Sequence, residues 1–182
     1  MNAMADLVEA GKIRSVGVSN FDPARMRRAH AALAKRGIPL AVNQVRYSLL
    51  NREIETNGVL DTAKELGVTI IAYTPVARGL LTGKYHKDPG LLNRMPGWRK
   101  ASMQRNLERS RPLINTMDEI ATKYETTIAQ VALNWLINFN GESVVTIPGA
   151  TRVRQAEESA SAMKFRLSDD EMARLDEVSH RL

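Results

Sequence analysis

Four short runs dominated by valine and isoleucine constrain this chain more than anything else in it: IRSVGVSN at 13–20, LAVNQV at 40–45, VTIIAYT at 68–74 and SVVTIP at 143–148. None alternates cleanly between apolar and polar residues. Strands covered on both faces read this way, and such strands belong to parallel sheets. The first three runs begin at residues 13, 40 and 68, with helical segments between them. That spacing is the form of successive βαβ units, whose crossovers are right-handed and whose strands lie parallel. The expected fold class is therefore α/β.

The intervening segments carry helix punctuation. In DPARMRRAHAALAKRG, Asp22 is placed to cap, Pro23 stands at the first helical position, and Gly37 ends the run. REIETNGVLDTAKELG reads as a second helix over 52–67, with Ile54, Leu60, Ala63 and Leu66 at helical spacing and Gly67 as its C-cap. Helices are expected again in RSRPLINTMDEIATKY, TTIAQVALNWLINF, TRVRQAEESASAM and SDDEMARLDEVSHRL. Thr127 with Gln130, and Ser168 with Glu171, stand at capping-box spacing. Residues 76–110, rich in Gly and Pro and carrying aromatic residues, read as one long functional loop.

Composition narrows the function classes. The 182 residues, 43% hydrophobic and 25% charged, suit one soluble domain spanning 1–182. With no cysteine, disulfides, thiolate metal sites and a cysteine nucleophile are excluded. A net charge of +6 admits an anionic partner, but the basic residues are dispersed over helix faces, as in 23–36, without aromatic residues for base stacking. A solvated face is the better reading, and no nucleic-acid partner is expected. No apolar run has membrane-spanning length, and MNAMADLVEAGK lacks the apolar stretch of a signal peptide. The expectation is a cytoplasmic protein with no membrane partner.

In parallel α/β folds ligands bind beyond the carboxyl ends of the strands. Ser19 and Asn20 end the first strand here, Asn43 and Gln44 the second, Tyr73 and Thr74 the third, and Gly149, Ala150 and Thr151 follow the fourth. A flat ring bearing a carboxamide finds amide and hydroxyl partners in the first two pairs and a stacking face in Tyr73. Any one pair also suits a strand end that merely meets water. In TPVARGLLTGK, Gly79 and Gly83 stand with Arg78, Thr82 and Lys84, a composition suited to cradling an anion. In IPGATRVRQAEE a strand enters a Gly turn and then a helix whose start carries Thr151, Arg152, Arg154 and Gln155, suited to a ribose phosphate.

GKIRSVGVSNF, AVNQVRYSLL, IIAYTPVARGLLTGKY and IPGATRVRQAEESASA, in this order, resemble the second half of an aldo-keto reductase, a (β/α)8-barrel enzyme of NAD(P)H-dependent carbonyl reduction. The resemblance implies a half-barrel made of strands five to eight with C-terminal helices, and NADP(H) as cofactor. It assigns Ser19, Asn20 and Gln44 to the nicotinamide carboxamide, and Tyr73 to the face of the ring. Thr74, Pro75, Val76, Arg78 and Leu81 would line the pyrophosphate, and Gly149, Thr151, Arg152, Gln155 and Glu158 would meet the adenosine end. Many relatives carry Asn after that Glu, where this chain has Ser159.

The family's Asp, Tyr, Lys and His tetrad comes from the barrel's first half. None of the tyrosines at 47, 73, 85 and 124, nor of the histidines at 30, 86 and 180, occupies a tetrad position, so the chain alone is expected to lack catalysis. Tyr85 and His86 are the remaining candidates to approach a cofactor. The expected substrate of a complete enzyme is a small-molecule carbonyl compound. Half a barrel also leaves sheet edges and an apolar face bare. About six residues such as Val16, Val18, Val42 and Ile70, at roughly 1.5 to 3 kcal/mol each, would forfeit about 9 to 18 kcal/mol of burial. The expected partner is a second copy, giving a homo-oligomer such as a dimer, or a complementary half-barrel. The alternative to an oxidoreductase segment is a non-catalytic, self-associating half-barrel, either a binding module or a structural remnant.

Overall fold

Each of the four apolar runs forms a strand: β1 (Val16–Ser19), β2 (Leu40–Arg46), β3 (Thr69–Tyr73) and β4 (Val144–Ile147). They make one parallel sheet in the order β1-β2-β3-β4. The computed structural model describes residues 1–94 and 96–182. Met95, and the side chains of Arg94, Trp98, Arg99 and Ser102, all within the expected loop, lie outside the described residues.

The helices are α1 (Asn2–Glu9), α2 (Pro23–Ala34), α3 (Val59–Leu66), α4 (Lys84–Lys87), α5 (Gly97–Lys123), α6 (Ile128–Asn138), α7 (Val153–Ser161) and α8 (Asp169–His180). The Asp22 carboxylate accepts from the Arg25 N–H at 2.7 Å and starts α2. Both capping boxes form, Thr127 with Gln130 at α6 and Ser168 with Glu171 at α8. Helices α1, α2, α3 and α6 pack against β1, β2, β3 and β4 in turn, and α7 lies against α6 beyond β4. On the outside of α6, α5 and α8 pack together as a further layer. No helix among the described residues is long and apolar enough to cross a membrane.

Two expectations about local structure are corrected. The helix expected over 52–67 is split: a 3-10 turn covers Glu53–Glu55, and α3 begins only at Val59. Gly58 breaks it with φ of +81°, while the Asn57 side chain accepts from the Val59 N–H at 3.1 Å and turns the chain. The long loop expected over 76–110 is largely helical. It holds 3-10 turns at Ala77–Thr82 and Pro89–Arg94, the short α4, and the first turns of α5. The reason is burial: Met103 and Leu107 of α5 close over Leu80, Tyr85 and Leu92 in a small core of their own.

The bare face is also composed differently from expectation. Val16 and Ile70 are 1% and 0% exposed, because they point to the helices, and Val18 is half-buried on the same side. Of the four residues named for that face, only Val42 is on it. Successive side chains of a strand point to opposite faces, and the pairing register sorts them. The side away from the helices carries Gly17, Ser19, Val42, Gln44, Thr69, Ile71, Tyr73, Val145 and Ile147. Val145 and Ile147 are each 46% exposed. This face mixes polar and apolar groups, so the burial forfeited is smaller than the sequence suggests.

Candidate functional site

The carboxyl ends of β1, β2 and β3 bring four of the expected residues into one hydrogen-bonded cluster. Asn20 sits in the left-handed region at φ 55°, which Asn tolerates better than most residues. Its N–H donates to the Gln44 carbonyl at 2.9 Å, and the Ser19 hydroxyl donates to the same oxygen at 3.0 Å. The Asn20 amide donates to the Ser19 hydroxyl at 3.3 Å, and its side-chain oxygen accepts from the Tyr73 hydroxyl at 3.2 Å. These bonds leave the Gln44 side chain and the Tyr73 ring on the half-exposed side of the sheet. Asn43 does not join them. It is fully buried on the helix side and clips Phe21, donating to its carbonyl at 3.0 Å. A recess of about 400 Å³ lies next to the cluster, between Asn20, Arg46 and Tyr73 and the 51–59 turn.

Thr74 follows directly on Tyr73 and opens the second part of the site. Thr74, Ala77 and Arg78 have φ of 58°, 48° and 57°, and Gly79 has 89°. Left-handed backbone at non-glycine residues costs on the order of 1–3 kcal/mol each and persists where surroundings enforce it. The enforcement is visible here. Ala77 N–H donates to the Thr74 carbonyl at 3.0 Å, Gly79 and Leu81 N–H donate to the Val76 carbonyl at 2.9 and 3.2 Å, and the Thr82 hydroxyl donates to the Gly79 carbonyl at 2.7 Å. Leu81, expected at the pyrophosphate, is instead fully buried, so its side chain anchors the loop to the core. Gly83 lies so close to α6 that a Cβ on it would stand 2.5 Å from Ile128 Cδ1.

This loop forms one wall of a cleft of about 680 Å³ whose other walls are the start of α6, the turn after β4, and α7. Thr74, Pro75, Val76, Arg78, Gly149, Gln155 and Glu158 all line it, with Thr82 and Lys84 from the glycine loop. Thr151 and Arg152 are exposed and lie outside its lining. Gln155 has a structural occupation. Its side-chain oxygen accepts from the Thr151 and Arg152 N–H groups at 2.8 and 3.2 Å and from the Thr151 hydroxyl at 3.1 Å, fixing the start of α7. Sequence reasoning missed Thr127, Gln130 and Leu133 of α6 and Pro148 as parts of the cleft. The only local signal was the capping box that starts α6.

The chemistry of the lining fits an extended dinucleotide. Arg78 and Lys84 give two cations beside a glycine-permitted backbone, Leu133, Ile147 and Pro148 give an apolar floor, and Glu158 and Ser159 give acceptors at the far end. The amide and hydroxyl cluster with the Tyr73 ring lies one residue beyond the other end.

Tyr85 and His86 do not reach this cleft. Tyr85 is 8% exposed within the small core, and His86 Nε2 stands 3.0 Å from the Ser110 hydroxyl. Burial, and then Arg111, hold His86 below the ordinary histidine range, although the Leu107 backbone opposes them. Tyr47 is fully buried, its hydroxyl donating to Glu55 at 2.6 Å and accepting from Asn140 at 2.8 Å. Burial first and the Glu55 carboxylate second push its phenol far above the usual range. The Tyr124 hydroxyl is held by Glu171 at 2.7 Å. Among the described residues no group of three or more His, Cys, Asp or Glu side chains stands together as a metal site.

Comparison with known proteins gives the family. The model of the Aldo/keto reductase family matches residues 1–180. Pyridoxal reductase, chloroplastic, of Arabidopsis thaliana is 35% identical over 176 residues, covering 96% of this chain and 46% of its own length. Aldo-keto reductase yakc [NADP(+)] of Schizosaccharomyces pombe is 37% identical over 177 residues, covering 93% of this chain and 49% of its own. Among solved structures, a thermostable aldo-keto reductase crystallised with the inhibitor epalrestat superposes with a TM-score of 0.72 at 33% identity, covering 97% of this chain and 53% of that one. The chain spans about half the length of the curated relatives it matches.

Proposed function

The chain belongs to the aldo/keto reductase family, and from that premise we propose that it is the NADP(H)-binding portion of an enzyme that reduces a small carbonyl compound. In this reading its four strands are the fifth to eighth of an eight-stranded barrel. One observation carries it: residues as distant in sequence as Thr74 and Glu158 line a single cleft, and Thr74 at its end directly follows Tyr73, which is bonded into the Ser19, Asn20 and Gln44 cluster. The yakc relative's printed NADP(+) supports the choice of cofactor.

When bound, the cofactor supplies a hydride. This chain's own residues bind and orient it. Ser19, Asn20 and the Gln44 side chain would hold the nicotinamide carboxamide, and the Tyr73 ring would support the nicotinamide. The left-handed backbone at 77–79, with Arg78 and Lys84, would receive the pyrophosphate. Gly149, Glu158 and Ser159 would receive the adenosine end, and Thr151 and Arg152, outside the cleft lining, would hold a ribose phosphate.

Proton donation is a different matter. Tyr47 and Tyr85 are buried, Tyr124 is bonded to Glu171, and the Tyr73 hydroxyl is bonded to Asn20. In this reading, as the family resemblance implies, the donor comes from residues outside this chain, and the chain by itself binds cofactor without turnover. Titration of NADPH followed by nicotinamide fluorescence tests both halves of the reading. Saturable binding with no aldehyde-dependent NADPH oxidation is expected. Absence of saturable binding refutes the cofactor assignment, and oxidation by the chain alone refutes the division of labour.

A further inference from the structure

Asparagine followed by glycine occurs twice in the chain, at Asn57–Gly58 and at Asn140–Gly141. Asparagine is among the chemically labile residues, and a following glycine leaves the next backbone nitrogen unshielded by a Cβ. Both glycines have positive φ, +81° and +61°. The two pairs are alike in sequence, but the fold treats their asparagine side chains in opposite ways. The Asn140 amide nitrogen donates to the Tyr47 hydroxyl at 2.8 Å, and its side-chain oxygen accepts from the Lys64 ammonium at 3.0 Å. Both partners belong to distant segments, and Asn140 is half-buried. With its carboxamide held at both ends, Asn140 must break both bonds before the group can turn freely onto the Gly141 nitrogen.

Asn57 is exposed, and its side-chain oxygen turns back onto its own chain to accept from the Val59 N–H at 3.1 Å. That bond closes a ring of atoms that runs through the Asn57 side chain and the Gly58 nitrogen. It folds the side-chain carbonyl carbon toward that nitrogen, whose N–H has no backbone partner among the described residues. Holding the two reacting groups together removes much of the entropy cost of ring closure. Val59 is also the first residue of α3. Its N–H, at the positive end of the helix, faces the oxygen on which negative charge develops when the carbon is attacked. Lys64 offers Asn140 a comparable donor, so orientation is what separates the two sites.

We propose that Asn57–Gly58 is a site of spontaneous deamidation in the folded protein, and that the fold protects Asn140–Gly141 from the same reaction. The Gly58 nitrogen bonds to the side-chain carbonyl carbon of Asn57 and closes a succinimide, while the bond from that carbon to the side-chain nitrogen breaks. The proton lost by the Gly58 nitrogen leaves with the side-chain nitrogen as ammonia. Water then opens the ring at one of its two carbonyls, giving aspartate or isoaspartate at position 57. Aspartate keeps an acceptor for the Val59 N–H and sets its charge at the positive end of α3. Isoaspartate lengthens the main chain by a methylene and loosens the turn that leads from Glu53–Glu55 into α3. Either product adds a carboxylate to the recess that Asn57 shares with Asn20, Arg46 and Tyr73, where Asp22 and Glu53 already stand. The surroundings of the amide and hydroxyl cluster thus grow more negative as the molecule ages.

Peptide mass mapping of the folded full chain, incubated at mildly alkaline pH, tests this without cofactor or partner. The fragment carrying Asn57 should gain one mass unit and separate into aspartate and isoaspartate forms. It should do so about tenfold faster than the fragment carrying Asn140, because two hydrogen bonds must break before Asn140 reacts. In urea strong enough to unfold the chain, the two rates should converge. Asn57→Gln, whose longer side chain no longer closes a five-membered ring readily, should leave its fragment unchanged over the same time. Equal rates in the folded chain, or faster reaction at Asn140, overturn the proposal. So does a rate ratio that urea leaves as it was, since the fold would then have no part in the difference.

Discussion

The hydroxyl of Tyr73 donates to the side-chain oxygen of Asn20 across 3.2 Å, tying the end of β3 to the end of β1 across the intervening β2. The bond fixes the aromatic ring beside an amide whose oxygen and nitrogen are both engaged. Tyr73→Phe removes the bond and keeps the ring; Tyr73→Ala removes both. At about 0.5–1.5 kcal/mol for the bond, Phe should weaken NADPH binding roughly 2- to 13-fold, and Ala should weaken it further. Fluorescence titration separates the two, and equal losses would speak against a stacking ring.

Gly83 holds the strained loop against α6. It has φ of +73°, and a Cβ there would stand 2.5 Å from Ile128 Cδ1. Gly83→Ala should cost about 1–3 kcal/mol in urea unfolding, from the left-handed backbone and the displaced isoleucine together. Cofactor affinity should fall with it, because Thr82 and Lys84 on either side line the cleft.

Arg52 is 8% exposed in its side chain and pairs with Glu55 at 2.7 Å and Asp176 at 2.5 Å, while its guanidinium lies 4.9 Å from the Trp135 ring centre. Glu55 in turn takes the Tyr47 hydroxyl. Removing the cation strands the Glu55 carboxylate, whose side chain is only 13% exposed, so Arg52→Ala should cost about 3 kcal/mol. Arg52→Lys should recover only part, since an ammonium cannot serve both carboxylates and lie flat on the indole. Denaturant midpoints of the two variants give the comparison.

Glu171 makes stability depend on acid pH. Burial raises its carboxyl pKa, but Lys123 at 2.6 Å, Tyr124 at 2.7 Å and the Ser168 N–H at 2.9 Å outweigh burial and hold it at about 2. A carboxylate depressed on folding stabilises fully above its unfolded pKa near 4.5, and the contribution is lost as pH falls toward about 2. With Lys123 largely exposed and screened, the loss is on the order of 1–2 kcal/mol. Glu171→Gln should flatten this part of the stability profile while lowering stability at neutral pH.

What was legible in the sequence was local. The strands were readable as apolar runs, and the starts of α2, α6 and α8 were readable because Asp22, Thr127 and Ser168 are caps whose partners lie three residues away. Elements whose state depends on distant packing were not. The first turns of α5 are helical because Met103 and Leu107 meet Leu80 and Tyr85, a contact that no window around residue 100 reveals. The same holds within the site. Leu81 sits in a polar, glycine-rich loop, and only the packed core takes its side chain away from any ligand. The α6 residues Thr127, Gln130 and Leu133 join the cleft through a meeting of segments about 50 residues apart. A run apolar on both sides hides which residues look which way until the register is known, so the helix-facing position of Val16 and Ile70 is not legible in the sequence.

Strand order in the sheet is the order in the chain, and this has a consequence for how the molecule assembles in time. β1, α2, β2, α3 and β3 join neighbours through short crossovers, and contacts of low sequence separation form fast. β4 joins β3 only after a detour of about 70 residues through α4, α5 and α6, so its docking should be the slow event of refolding. The cleft has one wall after β3 and another after β4. A nicotinamide signal recovered during refolding should therefore lag the far-ultraviolet signal and mark the arrival of the last strand.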